Sequence, residues 1–416
     1  MEIKRDYYLQ KLIDRENNGL IKIVTGIRRC GKSYLLNTIF HNYLLSKGVT
    51  AEHIIEVALD SEENAPLLQP MELTKYVKSK IVDNEMYYII LDEIQKCSNF
   101  VSILNGFLRL PNVDIYVTGS NSKFLSSDIV TEFRGRGDEI RMYSLSFSEY
   151  FSVYDGSVNK AWNDYYTFGG LPLVLLQKSD EAKMNYLMSQ KDVVYINDVI
   201  ERNGIQNDHE LQTLLEIVAS SIGSLVNPLK LSNIFKSVSS STISDKTIAQ
   251  YLKYLEEAFI IEKSKRFDVK GKKYMTTPAK HYFTDIGIRN AVLNFRQQEE
   301  THIMENIIYI ELRIRGFHVD VGLVEVREPK DGVLTRKQLE IDFVANKGNN
   351  KFYIQSAFNI TAPEKQAQEE RSLLKINDSF KKIIIIKDDI KAKRDENGIL
   401  TIGLYDFLLH SDSLNW

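Results

Sequence analysis

Two cysteines, Cys30 and Cys97, are all that 416 residues contain. That is no disulfide framework and, by number, no cysteine zinc site. The seven histidines are scattered, with none at zinc spacing. No apolar run is long enough to span a bilayer, and the charged start Met1-Glu2-Ile3-Lys4-Arg5-Asp6 is followed by no signal-type apolar segment, so a cytoplasmic location is expected. Charge of one sign is lacking too: 53 Lys and Arg stand against 56 Asp and Glu, a formal net charge of -3. No global attraction to nucleic acid follows, and any such contact must come from a local patch. Low-complexity segments and internal repeats are also missing. With 43% hydrophobic and 26% charged residues, the chain has the composition of a globular protein of roughly two to four domains.

What is there begins with an apolar run, Ile21-Lys22-Ile23-Val24-Thr25, and Gly26-Ile27-Arg28-Arg29-Cys30-Gly31-Lys32-Ser33 directly after it. Gly26 and Gly31 permit tight turns that aim backbone amides at phosphate oxygens, while Lys32 supplies a point charge and Ser33 a hydroxyl for magnesium. The run reads as a strand, and Tyr34 to Phe40 as the helix whose N-terminus faces the phosphates. The pattern is a phosphate-binding loop, with Gly26, Ile27, Arg28, Arg29, Cys30, Gly31, Lys32, Ser33 and Tyr34 as the nucleotide-contacting set and ATP with Mg2+ as cofactors. Beside Lys32 and inward-pointing amides, the Cys30 thiol is expected to be acidified and its alkylation to block nucleotide binding; for function the favoured reading is the plain one, a position that tolerates a small residue.

A second apolar run, Tyr88-Ile89-Ile90-Leu91, ends in Asp92-Glu93. Acids at the C-terminal end of a buried parallel strand lie where open α/β sheets place their ligands. Asp92 is the metal-shell candidate with Ser33, and Glu93 the base that orients and deprotonates water; the alternative is that the pair caps the next helix. A third run, Val113 to Thr118, ends in Gly119-Ser120-Asn121, which makes Asn121 a candidate sensor of the γ-phosphate or the attacking water.

Residues 1–150 alternate strands and helices, 151–204 read as a helical lid, and Gly169-Gly170 with Pro172 as a rigid turn. In 205–298, helices around Leu211–Ser220 and Leu229–Lys236 precede one capped by Ser244 with Ile248, Leu252, Leu255 and Phe259 on one face. A hairpin turning near Phe267 to Gly271 follows, the outline of a winged helix-turn-helix. Lys246 and Lys253 on its third helix and Lys265, Arg266, Lys270 and Lys272 on its wing form the dense basic patch of the chain. Duplex DNA is the partner such a patch fits; a protein contact or a merely solvated hairpin is the alternative. Residues 299–416 read as a last α/β unit, and the whole as a multidomain α/β protein.

These motifs resemble AAA-type (AAA_14-like) P-loop ATPases that carry a C-terminal domain of unknown function 4143. The resemblance covers essentially the whole chain and rests on the loop above, Leu91-Asp92-Glu93-Ile94-Gln95, Thr118-Gly119-Ser120, Leu145-Ser146-Phe147-Ser148-Glu149-Tyr150, Gly169-Gly170-Leu171-Pro172 and Glu340-Ile341-Asp342-Phe343-Val344. It implies ATP hydrolysis in a homo-oligomer, with Arg136 of Phe133-Arg134-Gly135-Arg136 as the arginine finger toward a neighbouring subunit and Arg134 as the fallback; pairing with Asp138 and Glu139 is the structural alternative. The last unit resembles the PD-(D/E)xK nuclease fold, with Glu305 and Asp342 matching its acids. Gln355-Ser356-Ala357 stands where Glu-x-Lys belongs. Gln355 and Ala357 share a strand face and supply neither the acid nor the lysine, so the unit reads as a degenerate nuclease fold, with Glu340 and Asp342 left to hold at most a weak metal site. The expected function is a magnesium-dependent ATPase switch or motor acting on DNA. Its rival is a nucleotide-gated DNA-binding or protein-scaffolding module with negligible turnover and no nuclease activity.

Overall fold

The computed structural model describes residues 3–119, 133, 135–238, 243–330, 333–360 and 362–416, the side chains of 193–195, 238, 330 and 333 excepted. The chain divides into two compact units, Met1–Ser144 with Glu257–Phe259, and Leu145–Glu256 with Ile260–Trp416.

The first unit is built on five parallel strands: β1 (Ile21–Gly26), β2 (Ile54–Ala58), β3 (Tyr87–Asp92), β4 (Val113–Gly119) and β5 (Gly137–Met142), in the order β2-β3-β4-β1-β5. β1 and β3 are buried at every position, as expected of parallel strands covered on both faces. On one face Ile21, Ile23, Ile89, Leu91, Ile115 and Val117 pack with Leu73 and Val77 of the helix Pro70–Lys80 and Leu104 and Phe107 of the helix Phe100–Phe107. On the other, Tyr116 packs against Phe40 with ring centroids 4.4 Å apart. That face also buries a charge: Lys22, fully buried, pairs with Asp114, which accepts a 2.7 Å hydrogen bond from the Tyr116 hydroxyl. Removing one partner would leave a buried charge uncompensated, which typically costs about 3–5 kcal/mol.

The strand order decides where the chemistry goes. β4 lies between β1 and β3, so the segments leaving the C-terminal ends of β1 and β3 emerge one strand apart, the arrangement that opens a crevice at a sheet edge.

The second unit opens with helices, among them Phe147–Phe151 and Val158–Phe168. The Gly-Gly turn after the latter is set by its packing. A side chain on Gly169, at φ +74°, would put its Cβ 2.3 Å from Asp285 Oδ1. Asp285 Oδ2 accepts a 2.9 Å hydrogen bond from Gly170 N, and Oδ1 accepts from Ile288 N, capping the helix Ile286–Val292. Asn290 donates to the carbonyls of Tyr166 and Thr167 at 2.9 Å each. The turn is a docked junction.

Further on, helices Asp208–Ser220, Pro228–Val238 and Asp245–Glu257 accompany a short strand β6 (Leu225–Val226) and a hairpin of β7 (Ile261–Asp268) and β8 (Lys273–Phe283). After the helix Glu300–Ile314 come β9 (His318–Lys330), β10 (Val333–Lys347), β11 (Asn350–Ala357), β12 (Lys381–Ile386), β13 (Lys393–Arg394) and β14 (Leu400–Gly403). All nine strands form one sheet in the order β13-β14-β12-β11-β10-β9-β7-β8-β6. Its junction is parallel pairing of β7 with β9, Arg266 opposite Val321 and Asp268 opposite Leu323. The boundary drawn between 298 and 299 therefore falls inside a single sheet.

Candidate nucleotide site

The loop leaving β1 follows from its glycines. Gly26 has φ +145°, Gly31 +102° and Arg29 +63°. A Cβ on Gly26 would lie 2.1 Å from the Met142 carbonyl oxygen at the end of β5, so only glycine passes there. Gly31 precedes a helical stretch that runs Lys32–Tyr34, widens to π-helical turns over Leu35–Phe40 and returns to α-helix at His41–Ser46. Lys32 is buried, and its Nζ donates to the carbonyls of Gly26 and Ile27 at 3.0 Å each. Its charge is thus held inside the loop by neutral oxygens rather than by a carboxylate. Ser33 and Tyr34 are exposed, Arg29 is exposed and Arg28 half-buried.

Cys30 corrects an expectation. Its side chain is fully buried, with Sγ 3.9 Å from the Met142 carbonyl oxygen. A thiol in that position is packing and is not presented to an alkylating reagent. Sequence reasoning also missed Arg5, which is buried and donates to the Cys30 carbonyl at 3.4 Å and the Tyr143 carbonyl at 2.7 Å, bracing the loop from outside. A lone arginine near the start of the chain carries no signal of that task.

Asp92 closes β3 and is buried. One carboxylate oxygen accepts from the Thr118 hydroxyl at the end of β4, and the Ser33 hydroxyl lies near enough to the same side chain to favour its charged form. Burial pushes this carboxyl above the ordinary aspartate value; the Thr118 and Ser33 hydroxyls work against the rise, and Glu93 and Asp60 add to it. Ser33 and Asp92, expected to share a metal, are thus brought together, and two hard oxygen donors suit a magnesium ion.

Glu93 takes a left-handed conformation, φ 53° and ψ 44°. A non-glycine residue there costs energy and persists where its surroundings hold it. The holding groups are visible: its N–H donates to Thr118 Oγ1 at 2.9 Å, and its carboxylate accepts from the Gln95 amide. Thr118 is therefore a double bridge between Asp92 and Glu93, and Gln95 orients the carboxylate. The sequence offered Thr118 only as the polar end of a strand, and attention went to Asn121, which lies outside the described residues together with Ser120 and Arg134.

Arg136 is exposed, and its NH1 donates to Asn105 Oδ1 at 3.1 Å. The acids that could have absorbed it are engaged elsewhere: Asp138 with Arg15 at 3.1 Å and Glu139 with the Thr25 hydroxyl at 2.5 Å.

The basic hairpin is the other candidate. Lys246, Lys253, Lys265, Lys270 and Lys272 are exposed. Arg266 is not available in the same way, because its Nε donates to the Pro278 carbonyl at 3.0 Å and its NH2 to that of Thr277 at 3.1 Å. Lys270 Nζ reaches the Glu325 carbonyl at 3.1 Å. Among the described residues no helix is long and apolar enough to cross a membrane.

Comparison with known proteins bears on both units. Residues 18–151 match the AAA domain family and residues 159–299 a domain of unknown function (DUF8612); the number matched is 8612 where the sequence resemblance named 4143. The chain is 34% identical over 413 residues to an uncharacterised protein of Haemophilus influenzae, covering 98% of each chain. It is 29% identical over 395 residues to an uncharacterised protein of Methanocaldococcus jannaschii, covering 89% of this chain and 82% of that one. Among solved structures, the Aeropyrum pernix ORC1 protein in complex with DNA is similar at TM-score 0.29 and 12% identity, covering 70% of this chain and 92% of that one. PCH-2 of C. elegans is similar at TM-score 0.27 and 14% identity, covering 61% of this chain and 65% of that one. Structural likeness at this level carries no conclusion.

Proposed function

Because the chain belongs to the same family as the Haemophilus influenzae protein and residues 18–151 form an AAA domain, we propose that it is a magnesium-dependent ATPase, an oligomeric switch or motor that acts on DNA. The observation that carries this reading is the bridge that Thr118 makes between Asp92 and Glu93 at the end of β3, together with a buried lysine that the loop after β1 holds by its own carbonyls. Each residue has a definite task. The loop amides and Lys32 bind the phosphates, and Ser33 and Asp92 hold magnesium, which neutralises phosphate charge when bound. Glu93, oriented by Gln95, accepts a proton from the attacking water. Arg136 adds positive charge from a neighbouring subunit where the transition state spreads negative charge. Asn121 is the remaining sensor candidate.

Glu93→Gln tests the assignment. Turnover should fall by roughly 10²–10⁴-fold, the usual worth of a positioned base, with ATP affinity retained. A variant that still turns over at the wild-type rate would sink the assignment.

A second reading, a nucleotide-gated DNA-binding or scaffolding module with negligible turnover, is favoured by the exposed lysines of the helix Asp245–Glu257 and the β7–β8 hairpin, proposed here as a winged helix. Saturable ATP binding with wild-type turnover no higher than that of Glu93→Gln would select it. Duplex affinity separates DNA from a protein partner: phosphate contacts by Lys265, Lys270 and Lys272 make log K fall with log salt at about 0.9 per contact, and an affinity indifferent to salt points to a protein.

A further inference from the structure

Lys280 lies on β8 and is 2% exposed. Its Nζ is 2.9 Å from Glu305 Oε1, 2.7 Å from Glu340 Oε1 and 3.9 Å from Asp342 Oδ1. The three acids come from separate places, Glu305 from the helix Glu300–Ile314 and Glu340 and Asp342 from β10. Polar neighbours complete the cluster: Tyr282 donates its hydroxyl to Glu305 at 2.7 Å, and the Ser356 amide donates to Asp342 Oδ2 at 2.8 Å.

Acids converging in a buried place repel one another when ionised, unless a cation lies among them or one of them keeps its proton. Two kinds of cation serve. A divalent ion takes carboxylate oxygens at about 2.0–2.6 Å; an ammonium takes them at hydrogen-bond distance and fills the same space. Here the ammonium is part of the chain. Lys280 Nζ, within 2.9 Å of a carboxylate oxygen of Glu305 and 2.7 Å of one of Glu340, and 3.9 Å from Asp342, occupies that space. As they stand around Lys280 the three acids are not themselves arranged to hold a metal ion, and among the described residues no other group of three His, Cys, Asp or Glu is.

We propose that Lys280 is the resident cation of the Glu305, Glu340 and Asp342 cluster, excluding divalent metal from it, and that its removal uncovers a divalent-cation site. The lysine belongs to the β7–β8 hairpin and the acids to the elements that follow it, so the same contact fastens the hairpin to the rest of the sheet. A metal-dependent reaction at these acids is accordingly closed to the wild-type chain.

The test uses the full chain without nucleotide, so that the loop after β1 contributes no metal site, and Mn2+ as the probe. Wild type, Lys280→Met, Lys280→Gln and each Lys280 variant combined with Asp342→Asn are followed by thermal unfolding and by Mn2+ electron paramagnetic resonance. The wild type should neither bind Mn2+ nor shift its Tm. At least one Lys280 variant should bind about one Mn2+, gain Tm on binding and lose both with Asp342→Asn. Mn2+ binding by the wild type that disappears with Asp342→Asn overturns the proposal. So does failure of both Lys280 variants to bind Mn2+, folded or not.

Discussion

Two places in this molecule gather a lysine with carboxylates, and they treat the charges in opposite ways. After β1, Lys32 rests on the carbonyls of Gly26 and Ile27, and after β3 Asp92 accepts from the Thr118 hydroxyl. Those partners are neutral, so the charges remain to be spent on a ligand. In the nine-stranded sheet, Lys280 faces Glu305 and Glu340 directly, and its charge is spent inside the fold. Counting acids and lysines does not distinguish the two. What distinguishes them is whether each charge already has its counter-charge.

The comparison breaks most visibly at Arg136. Arg136→Ala should cut turnover by about 10³-fold or more, the worth of an arginine finger, while Glu305→Gln and Asp342→Asn leave it unchanged. Mixing Arg136→Ala with Glu93→Gln chains should recover part of the activity, since an intact finger and an intact base can then meet across a subunit boundary. A fully active monomer would remove the trans role.

Thr118→Val comes next. It deletes the hydroxyl that serves Asp92 and Glu93 together and leaves a buried carboxylate short of a donor, at a cost of about 1–3 kcal/mol in stability. Turnover should fall more than ATP affinity does, because the left-handed turn at Glu93 loses its brace. Thr118→Ser keeps the hydroxyl and should restore both, a rescue that loss of packing alone would not give.

The smallest effect is a pH slope. Burial first, then Glu305, pushes the Asp342 carboxyl up to about 8 from an ordinary 3.8, against the opposing pull of Lys280 and the Ser356 amide. Between those values the folded chain holds a proton that the unfolded chain has released, so stability falls as pH rises through that window. Asp342→Asn should flatten the slope without abolishing it, because burial also raises Asp92, Glu311 and Asp320. Denaturant unfolding across the window reads it directly. An unchanged slope would mean that Asp342 carries its charge in the fold.

Much of the first site was legible because its information is local. Strand, glycine-bounded loop, Lys32, Ser33 and helix follow one another along the chain, and Asp92-Glu93 end a run whose continuous apolarity marks a buried strand. The Gly-Gly turn was legible as a rigid turn, though not the Asp285 and Asn290 contacts that hold it. The alkylation expected at Cys30 fails because its neighbours in sequence suggest an electropositive, open loop, while its neighbours in space are the end of β5 and solid packing; the plain reading, a small residue that fits, agrees with that burial. Arg266 counted as one more positive charge until the carbonyls of Thr277 and Pro278 were seen to occupy two of its nitrogens.

By itself, then, the sequence determined the phosphate-binding loop and the acids that end the next buried strand, because glycine freedom, side-chain chemistry and strand period act over a few residues. Only the tertiary structure decided the rest. Strand order, a matter of long-range pairing, set Thr118 between Asp92 and Glu93. The parallel joining of β7 to β9 carried the hairpin into the last sheet, and packing brought Lys280 to acids on two other elements. Electrostatic compensation depends on distance in space, so a lysine that closes a site is invisible until the chain has folded.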